Sequence, residues 1–152
     1  MTTTVQGIDG LKELVGQHLG YSDYVEVTQE QVNLFADATG DHQWIHVDPE
    51  RAKQGPFGGP IAHGYLTLSL APVLMSELWN FEDVAMGINY GLNRVRFPAP
   101  VPVGSKVRVR GVLKEVDEIP NGVQMVVECT FEREGGDKPV CVAETLARVY
   151  PG

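Results

Sequence analysis

The sequence predicts an α+β fold, and three observations carry that expectation. Its elements are segregated: a strand and helices come first, and a run of strands closes the chain. From His63 to Trp79 the residues are predominantly apolar, which is the mark of a helix buried on nearly all sides. Two hairpin signals, Asn121-Gly122 and Gly135-Gly136, separate strands of alternating polarity near the C-terminus.

Each element can be justified in chain order. Leu11, Leu14, Val15 and Leu19 recur at helical spacing, with Asp9 as cap, so residues 1–20 read as an N-terminal helical extension that Gly16 and Gly20 keep short. Tyr21–Val27 alternates as a strand. Thr28-Gln29-Glu30-Gln31 is a capping box, which starts a helix whose buried face is Val32, Phe35, Ala36 and Thr39 and which Gly40 ends. Residues 41–62 read as a long loop holding one short helix, capped by Asp48, opened by Pro49 and running through Lys53. The run Gly55-Pro56-Phe57-Gly58-Gly59-Pro60 suits neither a helix nor a central strand. The apolar helix over 63–79 carries Pro72, which should kink it.

The remainder is β. Met86–Phe97 forms one or two strands, and Pro98, Pro100 and Pro102 make an extended connector that Gly104 turns. Lys106–Val116 places Val107, Val109, Gly111 and Leu113 on one face, and Val123–Phe131 places Val123, Met125, Val127, Cys129 and Phe131 inward. Val140–Tyr150 carries small residues, Cys141, Ala143, Thr145 and Ala147, on one face, so a helix can lie close against it. One buried helix laid across a curved antiparallel sheet accounts for residues 63–150.

Composition narrows the function. The 152 residues suit one domain spanning 1–152, and 43% hydrophobic with 21% charged is ordinary for a globular chain. Twelve basic against 20 acidic residues leave a net charge of -8, which argues against nucleic-acid or anionic-membrane binding. No apolar run reaches bilayer length, and the N-terminus lacks a secretory pattern. Two cysteines, Cys129 and Cys141, are too few for a disulfide scaffold and read as core, so a reduced cytoplasmic setting is expected.

Three groups of residues could carry chemistry. Asp41 and His46 lie five residues apart, where a carboxylate and an imidazole can converge on one water as an acid–base pair. The same residues suit a local cap and a structural histidine, and spacing alone favours that plainer reading. His42, His46 and His63 are too few to define a metal geometry, so no metal is expected. Gly58-Gly59-Pro60-Ile61-Ala62-His63-Gly64 leads into the buried helix, whose free amides could bind a substrate carbonyl; a simple tight turn explains it equally well. Arg94 and Arg96, set before the proline connector, could hold phosphates, whereas Lys106, Arg108, Arg110 and Lys114 read as a solvated outer face.

In combination these segments resemble the MaoC-like dehydratases, the R-specific enoyl-CoA hydratases of the hotdog fold. The residues that carry the resemblance are Phe35-Ala36-Asp37-Ala38-Thr39-Gly40-Asp41, Ile45-His46-Val47-Asp48-Pro49-Glu50, Gly59-Pro60-Ile61-Ala62-His63-Gly64 and Val95-Arg96-Phe97-Pro98-Ala99-Pro100-Val101. The Asp-His-Gln-Trp-Ile-His run is similar to the branch that includes nodulation protein N. The resemblance implies a curved antiparallel sheet wrapped around a long central helix, and a homodimer joined edge to edge. It implies reversible hydration of a trans-2-enoyl-CoA to an R-3-hydroxyacyl-CoA, with CoA as part of the substrate and no further cofactor. Asp41 and His46 would activate the water, with Asp41 taking its proton, and the Gly64 amide would bind the thioester carbonyl. Gln43, His63, Arg94 and Arg96 would contact substrate. Gln43 and Trp44 stand where the commoner pattern has asparagine and proline, and Pro72 falls where some members carry a serine. A thioesterase on the same fold and a non-catalytic acyl-ligand or partner-binding protein are the alternatives.

Overall fold

The computed structural model describes residues 2–152. Its main sheet runs in the order β2(His18–Tyr21), β6(Lys106–Ile119), β7(Gly122–Arg133), β8(Pro139–Pro151), β5(Val84–Arg96), with β3(Val25–Glu26) also on β6 and every pairing antiparallel. The hotdog architecture expected from the resemblance is present. The central helix lies against this sheet as two pieces, α5(Gly64–Ser69) and α6(Ala71–Met75), which pack on β8 and β6. The break falls at Leu70, so Pro72 opens a new helix at a position where its missing N–H costs nothing.

Sheet and helix meet at small residues. Cys141 and Ala143 on β8 are fully buried. A Cβ on Gly111 of β6 would come within 2.9 Å of the Met75 side chain. The alternating inward sets predicted for β6 and β7 are buried, from Val107 to Leu113 and from Val123 to Phe131. Asn121 adopts the left-handed conformation (φ 68°) that its hairpin turn requires. Arg108 and Arg110 stay on the outer face, where both reach Glu132, at 3.0 and 3.8 Å.

Several expectations need correction. The expected helical extension over residues 1–20 is not one where the structure describes it, over 2–20: β1(Thr3–Gln6) pairs in parallel with β4(Trp79–Glu82), α1(Gly7–Glu13) is short, and Leu19 is buried on strand β2. The predicted central helix therefore stops at Met75, and Trp79 belongs to a strand, packed edge-on to Phe81. The strand over Tyr21–Val27 is interrupted at Ser22, whose hydroxyl takes the Val109 N–H in place of a backbone carbonyl. The Thr28 half of the capping box forms at the head of α2(Gln29–Thr39), with Oγ1 accepting from the Gln31 N–H at 3.1 Å, but the Gln31 side chain does not return the bond. The central helix is not buried all round either, since Tyr65 and Val73 are 70% and 60% exposed.

Burial pushes the Cys129 thiol up to about 11 and the Cys141 thiol to about 12. Neither is a nucleophile at neutral pH. A disulfide reagent at pH 8 is expected to titrate no thiol in the folded protein and both in denaturant. No helix among the described residues is long and apolar enough to cross a membrane.

Candidate active site

The long segment between α2 and the central helix builds the site. Gly40 ends α2 in the left-handed conformation (φ 87°) and turns the chain so that Asp41 follows directly. Two short helices come next, α3(Trp44–Val47), which the sequence did not reveal, and α4(Pro49–Lys53), which it did. The Asp48 side chain caps α4 by accepting from the Arg51 N–H at 3.1 Å. Trp44 packs so close to Gly55 that a Cβ there would lie 2.9 Å from its ring, and the Arg51 guanidinium sits over the same indole. The glycine–proline run is then pinned by backbone bonds: Ile61 N–H to Ile45 O, Ala62 N–H to Val101 O, and Val103 N–H to Pro60 O. It can stay irregular because its ends are tied to α3 and to the proline connector.

This pinning orients His46. Its Nδ1–H donates to the Ile61 carbonyl at 2.7 Å, which leaves Nε2 with a free lone pair. Gln29 of α2 holds the same turn by donating to the His46 carbonyl at 2.8 Å. Asp41 is held by its own loop, Oδ1 accepting from the Gln43 N–H at 3.3 Å, and its side chain is half exposed. His63, at the N-cap of α5, is buried; its Nε2–H donates to the Asp41 carbonyl at 3.0 Å and its ring lies on that of His46, with centroids 3.9 Å apart. A donor atom from each of Asp41, His46 and His63 lies within 4.8 Å of the other two. This convergence goes beyond what five-residue spacing could establish. Each ring commits one nitrogen to a backbone carbonyl.

A cavity of about 280 Å³ opens beside His46, lined by it with Phe57, Gly64, Thr67 and Phe97 among others; Asp41 is not among the lining residues. Gly64 begins α5 on its wall, and a Cβ there would press within 3.1 Å of the Phe97 ring. A larger groove of about 740 Å³ runs between the central helix and strands β5 and β8, with Pro72, Met75, Trp79 and Tyr90 on its walls.

The other sequence candidates are placed differently. Gln43 serves through its backbone, as N-cap of α3 and as donor to Asp41. His63 sits behind Asp41 and His46 and is not among the residues lining the smaller cavity. Arg94 and Arg96, read as phosphate contacts, are ladder residues of β5, exposed and opposite Glu144 and Val142, and line neither of these two cavities. His42 turns away to Asp37 at 3.0 Å, a contact that raises its pKa. Ile61, Gln29 and Phe35, the last packed on His63, escaped the sequence reading. A carbonyl acceptor such as that of Ile61 has no residue-type signal to find.

Burial, more than any charge, lowers the His46 pKa from its ordinary 6.5; His63 adds to the lowering, and the Ile61 and Asp41 contacts oppose it. The unfolded chain therefore binds a proton at His46 before the folded one does. The contribution of this residue to stability is complete above pH 6.5 and is lost as pH falls from there through the depressed folded value. Chemical denaturation between pH 7 and 5 is expected to show a shallower loss in His46→Gln than in the wild type.

With this geometry in place, the comparisons are decisive. The family model described as MaoC like domain matches residues 11–134. The chain belongs to the MaoC-like family. This MaoC-like chain is 56% identical over 146 residues to 3-hydroxyacyl-thioester dehydratase Z of Mycobacterium tuberculosis, covering 95% of this chain and 97% of that one. It is 46% identical over 143 residues to nodulation protein N of Rhizobium meliloti, covering 92% and 89%. Among solved structures, an (R)-hydratase from A. caviae involved in PHA biosynthesis shares the fold, with a TM-score of 0.73 at 24% identity over 90% of this chain and 96% of that one.

Proposed function

We propose that this MaoC-like chain adds water reversibly across trans-2-enoyl-CoA thioesters to give R-3-hydroxyacyl-CoA. The observation that carries the reading is the approach of the Asp41 carboxylate and a His46 ring nitrogen to within 4.8 Å, a span that one water bonded to both can bridge. The relative named as a 3-hydroxyacyl-thioester dehydratase runs the same equilibrium from the other side, which supports the substrate class. The R configuration rests on the likeness to the A. caviae hydratase and on the sequence motifs.

In the hydration direction Asp41 orients the water and His46 accepts its proton at Nε2, the nitrogen that Ile61 leaves free. This reverses the role expected for Asp41 as base, because the Ile61 bond holds His46 in the accepting tautomer. The water oxygen bonds to C3, the C2–C3 π pair shifts toward the thioester carbonyl, and the Gly64 N–H binds the resulting enolate oxygen. The pair then returns a proton to C2, so the enzyme ends as it began. This chemistry calls for no metal or redox cofactor, and CoA enters only as part of the substrate.

A homodimer belongs to the same proposal. Strand β5 is an open edge carrying Met86, Ile88, Tyr90 and Leu92, each at least 43% exposed, and Tyr65 and Val73 of the central helix are exposed as well. Such an edge needs covering. Sedimentation at micromolar concentration is expected to give a dimer, and a monomer would overturn this part. For the reaction, enoyl-thioester absorbance should fall on mixing, chiral analysis should return the R alcohol, and free CoA thiol should stay at background. Thiol released in step with substrate loss would mean hydrolysis instead. No conversion of crotonyl-CoA or longer enoyl thioesters at high protein concentration would favour a binding role.

A further inference from the structure

We infer that His63 is the positioning residue that holds Asp41 and His46 as one unit, with the Thr67 hydroxyl as its support. The inference rests on the proposed roles of Asp41 and His46 and adds a third residue behind them. His63 is 2% exposed and touches both: Nε2–H bonds the Asp41 carbonyl at 3.0 Å, and the ring stacks on His46 at an interplanar angle of 26°. Phe35 packs against the same ring, with centroids 4.8 Å apart. Neither His63 nor Asp41 lines the smaller cavity, and the contacts of the buried His63 ring run to Asp41, His46 and Phe35, so what it contributes is the placement of its neighbours.

Two buried atoms specify how His63 is itself held. Because Nε2 carries the proton given to Asp41, Nδ1 is a bare acceptor, and it has no partner among the described residues. The Thr67 hydroxyl is also buried and without a partner. Thr39, Ser69 and Ser76 instead bond back to carbonyls in the preceding turn. Thr67 lies four residues after His63 on the same helix face, and helical side chains lean toward the N-terminus, which directs the hydroxyl toward the His63 turn; the two atoms are not bonded to each other in this structure. One atom is an acceptor and the other a donor. A rotation of the Thr67 side chain, or one water between them, would join the two and fix the tautomer that grips Asp41. The titratable groups against His63 are Asp41, its Oδ2 at 4.0 Å, and His46. A proton on one of two stacked imidazoles opposes a proton on the other.

The full chain carries the test, with His63→Phe, His63→Gln and Thr67→Val each compared with wild type for turnover of crotonyl-CoA and for thermal unfolding. His63→Phe keeps an aromatic ring and loses the bond to Asp41; kcat is expected to fall about 100-fold, the cost of a small misplacement of reacting groups, with KM nearly unchanged. His63→Gln, whose amide N–H can reach the Asp41 carbonyl, is expected to recover much of that loss. Thr67→Val should lower kcat about 10-fold. An NMR titration of the His46 ring gives a readout independent of activity: in His63→Gln it should titrate at higher pH than in wild type. A His63→Phe enzyme with normal kcat, a loss confined to KM, or an unmoved His46 titration would overturn the inference. Should His63→Phe fail to fold, normal kcat in Thr67→Val together with an unmoved His46 titration in His63→Gln would overturn it. An inactive wild type would instead sink the hydratase reading, and the His46 titration would still decide the role of His63.

Discussion

Asp41→Asn and His46→Gln are each expected to abolish hydration, lowering kcat by about 10²- to 10⁴-fold, while leaving the fold in place. Asp41 is half exposed, so its amide analogue meets no buried penalty. In His46→Gln the side-chain amide can still donate to the Ile61 carbonyl that Nδ1–H now serves at 2.7 Å. Both variants should keep the wild-type circular dichroism, which separates loss of chemistry from loss of structure. The double variant should be little worse than either single one, because the two groups grip one water and act as a unit. Turnover near the wild-type level in either single variant would refute the assignment.

Phe131→Ala is expected to cost roughly 3–5 kcal/mol of folding stability. The residue is fully buried on β7, between Val109 of β6 and Cys141 of β8 on the face against the central helix. Its removal takes the largest fully buried side chain from the core, and two flanking strands bonded along their length cannot collapse into the space. For a chain of this size the melting temperature should drop by roughly 10–20 °C, compared at one protein concentration because association shifts the midpoint. A drop of only a degree or two would mean that the sheet and helix repack more freely than this core suggests.

Much of the fold was legible where the deciding interactions are local. The Thr28 cap, the Gly40 stop, the Asp48-Pro49 helix start and the Asn121-Gly122 turn each depend on residues within about four positions of one another, and each forms. The failures share a cause of the opposite kind. Thr3–Gln6 is a strand only because Trp79–Glu82 lies beside it, more than 70 residues later. Ser22 breaks its strand because the Val109 N–H donates to its hydroxyl in place of a backbone carbonyl. For the site, Asp41, His46 and Gly64 could be named from motif and spacing, but their supports could not.

The amino-acid sequence by itself determined the segregated helices and strands, the inward faces of β6, β7 and β8, and which carboxylate and imidazole were candidates to meet, because caps, turns and alternation act over a few residues. Only the tertiary structure decided that His63 stacks behind those two, that the Ile61 carbonyl selects the His46 tautomer, and that one apolar edge is left open along β5. Those outcomes depend on distant segments arriving at one place, and two of them run through backbone carbonyls and ring nitrogens whose partners no residue pattern announces.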